Sequence, residues 1–160
     1  MSDLEFYANF LTQGEILGLG RGSAPEAWVS MLGDDYVENR TRKQVHRDFG
    51  FINTTFYGKR DDLALDLLAV KVHRLALAVA EVPRVLQNEF GEFPARVTID
   101  DLAAELSRTG NVPQRAAQQL PLELERFEIP GKTVSVFVVA DPEFARAQDR
   151  KVGDVWSLSC

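Results

Sequence analysis

Cysteine is almost missing from this chain of 160 residues, which also holds only two histidines and two methionines. Cys160 is the last residue, so no intrachain disulfide and no cysteine-based zinc cluster can form. The interior must stand on packing, and a chain of this length can bury roughly 70% of its unfolded surface. Long apolar runs are lacking too. The longest weakly charged stretch, residues 75–80, falls far short of the ~20 residues that cross a bilayer. Asp3 and Glu5 stand where a secretory signal would carry a basic stretch and then an apolar run, which predicts a cytoplasmic protein with no membrane segment. Positive charge is in deficit, with 18 Lys and Arg against 24 Asp and Glu, a net charge of −6. That balance argues against general nucleic-acid or anionic-membrane binding, since both partners are drawn to positive fields. What remains, 45% hydrophobic and 26% charged residues, is the composition of a globular protein, read as a single domain over residues 1–160.

The charge is uneven along the chain. Residues 1–39 carry one Arg against seven acids, and residues 40–75 carry eight bases against four acids. If these blocks occupy separate faces, the surface has a recognition polarity that can steer a charged partner.

Apolar spacing sets the elements. Leu4, Phe6, Tyr7, Phe10 and Leu11 recur at helical intervals after Asp3, which is read as the cap, and Gly14 closes that helix. Residues 15–19 read as a short strand running into a bend at Gly18, Gly20 and Gly22. Ser23-Ala24-Pro25-Glu26 has the spacing of a capping box before a helix carrying Trp28, Val29 and Leu32. Alternation over residues 45–49, β-branched and aromatic residues over 51–57, a polar turn at 58–62 and a long strand over 63–75 predict antiparallel hairpin structure. Val85, Leu86 and Phe90 after Pro83 suit a short helix, and Thr98 with Asp101 caps another that carries Leu102, Ala103 and Leu106. Residues 124–129 and 133–140 flank a Pro130-Gly131 turn as a second hairpin, the latter strand apolar enough to be central. A helical turn follows Asp141-Pro142, and residues 152–158, with Asp154 and Ser157 and followed by Ser159, read as an edge strand. Strands cluster instead of alternating with helices, which predicts an α+β fold: a mostly antiparallel sheet with short capped helices packed on one face. No internal repeat at a fixed period is visible.

Catalytic sets are hard to assemble. His46 and His73 are the only imidazoles; if their strands pair, they offer a general base or a weak metal site. Gly18-Leu19-Gly20-Arg21-Gly22-Ser23 lacks the third glycine of a dinucleotide fingerprint and the Lys-Ser/Thr of a phosphate loop, so it reads as a strand-to-helix bend. The pairs Asp61-Asp62 and Asp100-Asp101 fall where carboxylates favour turns and helix starts. Asp34, Asp35, Tyr36 and Glu38 form an acidic loop carrying an aromatic, a common recognition surface. The basic run Arg40-Thr41-Arg42-Lys43 with Arg47 sits beside that loop in sequence and is read as self-neutralising. No cofactor or metal is indicated.

Taken together, Gly18-x-Gly20, the helix ending Met31-Leu32-Gly33-Asp34-Asp35-Tyr36, Arg47-Asp48-Phe49-Gly50-Phe51-Ile52 and Phe56 resemble small bacterial immunity proteins of polymorphic toxin systems, those of actinobacteria in particular. The strand over 133–140 and Gly153-Asp154-Val155-Trp156 resemble their C-terminal strands. The likeness covers residues 14–75 with a weaker echo at the end. It implies a non-enzymatic protein that neutralises a cognate toxin by covering its active site or an essential surface. Under that expectation Asp34, Asp35, Tyr36, Glu38, Asp61 and Asp62 complement a basic toxin surface such as a nuclease cleft. The alternative is a small enzyme or ligand-binding domain with a pocket over the sheet and His46 or His73 as base.

Overall fold

Ser2 opens the first helix. Its hydroxyl accepts from the Glu5 backbone N–H while the Glu5 carboxylate accepts from the Ser2 N–H, a reciprocal cap that places the start one residue before the expected Asp3. Helix α1 (Asp3–Gln13) ends at Gly14 in the left-handed region, as its spacing predicts. Helix α2 (Pro25–Leu32) also forms, yet Ser23 does not cap it; Ala24 occupies that position without a side-chain bond. The Ser23 hydroxyl is taken instead by Trp28, whose Nε1 donates to it at 2.7 Å. Residues 15–19 are not a strand: Ile16 and Leu19 exchange backbone hydrogen bonds across a tight turn.

In the computed structural model, residues 1–77, 82–117 and 123–160 are described. Helices α3 (Arg84–Phe90), α4 (Ile99–Ser107) and α5 (Pro142–Ala147) lie where the sequence places them, α4 capped by Thr98 and α5 by Asp141. Residues 78–80 of the apolar stretch fall outside the described residues.

Eight strands form one antiparallel sheet in the order β1-β2-β3-β4-β8-β7-β6-β5. They are β1 (Val37–Arg40), β2 (Gln44–Asp48), β3 (Ile52–Tyr57), β4 (Ala64–Val70), β5 (Gln114–Arg115), β6 (Leu124–Glu128), β7 (Ser135–Val139) and β8 (Val155–Ser159). The architecture is therefore the expected α+β fold. Three expectations are corrected. The strand over 63–75 stops at Val70, and Val72–Ala76 turns into a 3-10 helix. The final strand is no edge: β8 lies between β4 and β7. Strand β1, exposed at every position, was not visible as apolar alternation.

Register assigns the faces. Val45, Phe56 and Leu65 stand opposite one another on β2, β3 and β4, as do Ile52, Val70 and Leu158 on β3, β4 and β8. These side chains join Phe6, Phe10, Trp28, Leu86, Leu102 and Leu106 from α1 to α4 in one buried cluster. The opposite face carries His46 beside Thr55, Gln44 beside Tyr57 and Asp48 beside Asn53.

Both the sheet order and the chain order are doubled. Two helices precede β1–β4, and two helices precede β5–β8, with α5 inserted before the last strand. The two four-stranded meanders meet at β4 and β8, through the pairs Ala69 with Ser159 and Val70 with Leu158. Among the helices, α1 touches both α4 and α3, and α2 touches α3. The turns repeat as well: Gly14 and Gly33 close α1 and α2, Gly91 closes α3 and Gly110 follows α4, all at positive φ, and the interval from Gly14 to Gly91 equals that from Gly33 to Gly110. A repeat that the side chains had hidden is thus visible in the backbone.

Inside the cluster, Tyr7 is buried among Phe6, Phe51 and Phe93, and its hydroxyl meets no partner among the described residues. Burial, and then the Asp3 carboxylate, push its pKa up. Tyr7→Phe removes an unpaired hydroxyl and is expected to gain about 1 kcal/mol. A higher urea midpoint at unchanged slope checks this, and a loss of 1 kcal/mol or more contradicts it.

Candidate interaction surface

The six acidic-surface candidates do not form one patch. Asp34, Asp35 and Tyr36 lead into β1 at the end of the sheet where Val37 faces Asp48. Asp61 and Asp62 follow β3 at the opposite end, where Tyr57 faces Gln44 and Ala64. The strands between them span about 15 Å, so the two sets sit at opposite ends of the sheet.

At the first end, sequence neighbours pair across strands. Glu38 faces Arg47, and its carboxylate accepts from the Arg47 Nε at 3.0 Å and from the Arg40 Nε at 3.4 Å. Hydrogen bonding from Arg47 holds the Glu38 carboxyl below its ordinary pKa against a small burial cost, with Arg40 adding to the effect. The Arg47 guanidinium also lies over the Tyr36 ring at 4.6 Å, and Tyr36 packs on Phe49 with ring centroids 5.2 Å apart. Glu38 is therefore neutralised inside the protein, and Tyr36 is fixed. Asp34 and Asp35 are left exposed, with no cation within ion-pair distance among the described residues. Asp35 also lines a hollow of about 1020 Å³ between the end of α2 and the α3 region, with Leu32, Phe49, Arg84, Glu92 and Phe93.

Charge blocks that look separate in sequence are partly cancelled in space. Arg21 reaches Asp66 at 3.2 Å, and Glu38 of the acidic block holds Arg40 and Arg47 of the basic one. The basic run accordingly splits. Arg40 and Arg47 are paired, whereas Arg42 and Lys43 point to the other end of the sheet and join Lys59 and Arg60 around a hollow of about 630 Å³ with Tyr57 and Gly58. Among the described residues no carboxylate lies within ion-pair distance of these four cations. Sequence reading missed this convergence. The usable signal was the antiparallel pairing of β2 with β3, which brings the turn before one beside the turn after the other.

Gly58 holds the two turns together. Its N–H donates to the Lys43 carbonyl at 3.1 Å, and at φ 138° a Cβ would stand 2.3 Å from the Asp62 carbonyl oxygen. Gly58→Ala is expected to open the turn at a cost of about 2 kcal/mol. Gly33→Ala, at φ 95° with nothing within 4 Å of the added Cβ, should cost only about 1 kcal/mol. Urea denaturation of the two variants side by side checks the difference; equal costs would mean that the turn yields freely.

The histidines do not converge. His46 on β2 places Nδ1 3.0 Å from the Thr55 hydroxyl, while His73 in the 3-10 helix stacks on Trp156 at 4.2 Å with Nδ1 3.1 Å from the Trp156 carbonyl. Three strand spacings, about 14 Å, separate β2 from β8, and neither ring lines the hollows described above. Burial is the main cause that lowers the His73 pKa, with Lys71, Arg74 and Arg150 acting in the same direction. Beside it, Arg150 donates to the His73 and Ala95 carbonyls at 2.6 and 2.8 Å, and Arg96 grips the buried Asp154 through two bonds of 2.9 and 2.7 Å. These groups tie chain segments together. Among the described residues no cluster of three His, Cys, Asp or Glu is placed to hold a metal ion, and no helix is long and apolar enough to cross a membrane.

Comparison with protein-family models, with curated proteins and with solved structures finds no match. The functional reading therefore has to come from the surface itself.

Proposed function

We propose that this chain is a non-enzymatic binding protein, an immunity protein that neutralises a cognate bacterial toxin in the cytoplasm by covering its active site or an essential surface. The observation that carries the reading is the loop Asp34-Asp35-Tyr36. Its ring packs against Arg47 and Phe49, its two carboxylates stand unpaired among the described residues, and Asp35 lines a concave surface. A preorganised loop loses little freedom on binding, and free carboxylates next to a groove suit a partner with a basic surface, where charge raises the association rate. The sequence resemblance points the same way. The expected binding set shrinks under this geometry to Asp34, Asp35 and Tyr36, because Glu38 is already paired and Asp61 and Asp62 lie at the far end of the sheet. The histidine-based alternative has no observation in its favour.

The test is a pull-down from the native host, combined with survival of a deletion strain grown beside toxin-bearing siblings. The expected result is recovery of a toxin-domain protein, and its loss when Asp34→Asn and Asp35→Asn are combined. Recovery of no such protein, with normal survival of the deletion strain, would overturn the proposal.

A further inference from the structure

The basic end of the sheet is unused by the acidic loop, and its chemistry is different. Arg42 and Lys43 from the β1–β2 turn and Lys59 and Arg60 from the β3–β4 turn surround one hollow of about 630 Å³, and Tyr57 forms part of its wall with half its surface exposed. We propose that this tip binds a nucleotide unit, with the phosphates held by the four cations and the base laid on the Tyr57 ring. The inference is independent of the toxin-binding reading.

Four features of the tip support it. The first is charge without partners: none of the four cations is engaged by a carboxylate among the described residues. Guanidinium groups match phosphate oxygens two at a time, and the lysines add point charges. The second is an accessible aromatic ring, on which any base can stack. The third is shape, because a hollow of this volume falls inside the range of roughly 300–1,000 Å³ typical of small-ligand sites. The fourth is preorganisation, since the Gly58 N–H bonded to the Lys43 carbonyl fixes one turn against the other before any ligand arrives.

Charge also limits the length of the ligand. Asp61 and Asp62 belong to the same turn as Lys59 and Arg60, and the whole chain carries −6. A long duplex would meet that excess, while a mononucleotide or a strand end places its few negative charges at the tip alone. The chemistry recognised is a phosphate joined to a planar base, whether as a free nucleotide or as the end of a single strand.

Calorimetric titration of the whole protein at low salt with ATP, with inorganic tripolyphosphate and with a short oligothymidylate tests the proposal. ATP is expected to bind about tenfold more tightly than tripolyphosphate, because only ATP can stack. Tyr57→Ala should erase that difference and leave tripolyphosphate binding in place. Arg42→Gln combined with Lys59→Gln should weaken all binding by more than about tenfold. Both sites are exposed, so far-UV circular dichroism should be unchanged, and Lys43→Gln with Arg60→Gln gives the same reading if the first pair folds poorly. Tighter oligothymidylate binding identifies a strand as the source, tighter ATP binding a free nucleotide, and either supports the site. Binding of neither ATP nor oligothymidylate at millimolar concentration, equal affinity of tripolyphosphate and the tighter of the two, or binding that survives loss of the cations in a folded protein overturns it.

Discussion

Replacing Asp154 with alanine is expected to remove about 3 kcal/mol of stability, because it takes a buried acceptor out of its bonded network. The carboxylate is 1% exposed and accepts from Arg96 at two oxygens and from the Lys151 N–H at 2.9 Å. It also supplies negative charge near Arg150, whose side chain bridges the Ala95 and His73 carbonyls from a buried position. Without Asp154, that guanidinium keeps only the more weakly acting Asp149 charge nearby, so the loss exceeds that of an ordinary surface pair. The sign of the pH dependence follows. Burial by itself would raise the Asp154 pKa, but the bonds from Arg96 and Lys151 and the charges of Arg96 and Arg150 hold it below the ordinary value. The stabilisation is therefore complete above the unfolded value of about 3.9 and is lost as pH falls through the lower folded value. Urea denaturation at neutral pH should show the full difference between wild type and Asp154→Ala, and acidification below about pH 3.9 should narrow it. A gap that stays constant with pH would mean that the carboxylate acts through packing alone.

Asp154 also shows why part of the fold was hidden in the sequence. The charged Asp154 with Ser157 and Ser159 describes an edge strand only if the charge faces water. Here Arg96, brought in from the loop before α4, satisfies the carboxylate, and β8 sits in mid-sheet. Such tertiary compensation leaves no local trace. The long strand over 63–75 failed for another reason: Val70 and Val72 keep the period of two, but at Lys71 the chain leaves β4 and enters the 3-10 helix. Strand β1 has four exposed residues and no apolar side, so periodicity had nothing to detect. Where a buried stripe exists, as in α1, α4, β3 and β7, spacing and turn chemistry were enough.

The surface was less legible than the fold, and register explains the difference. Asp34 to Glu38 and Asp61-Asp62 look alike as acidic turns, yet two hairpins with strands of similar length send alternate turns to opposite ends of the sheet. The same rule separates Arg40 and Arg47 from Arg42 and Lys43. Sequence distance predicted neutralisation across the whole basic run, whereas strand pairing delivers it only to the two residues that face or flank Glu38. The doubling of the fold compounds this. In the second half, α5 stands between β7 and β8 where a short turn joins β3 to β4. What the halves share is the order of their elements and one common core, and what distinguishes them includes the sheet ends where both proposed contacts lie.

Trp28→Ala should have the largest effect of all, a loss of about 4 kcal/mol. The indole is 0% exposed and belongs to the cluster that joins the helices to the sheet. Its polar edge carries a second role. The Nε1–H donates to the Ser23 hydroxyl, that hydroxyl donates to the Gly20 carbonyl at 2.6 Å, and the Ser23 carbonyl accepts the Leu65 N–H at 2.9 Å. Trp28 therefore joins α2 through the glycine-rich bend to the start of β4. Trp28→Phe keeps most of the packing and removes only the bond, so it should cost about 1–2 kcal/mol. Ser23→Ala removes the same bond from the other side, leaves the indole N–H buried without an acceptor, and should cost a similar amount. In a double-mutant cycle, Trp28→Phe and Ser23→Ala should together cost less than their sum, because either one already breaks the shared bond. Denaturation should be followed by far-UV circular dichroism, since substituting Trp28 changes the fluorescence itself. With a typical domain stability of about 5–15 kcal/mol, the alanine variant should be visibly unfolded at moderate urea. Additive costs in the cycle would show that the bond contributes nothing and that packing alone holds α2 to the bend.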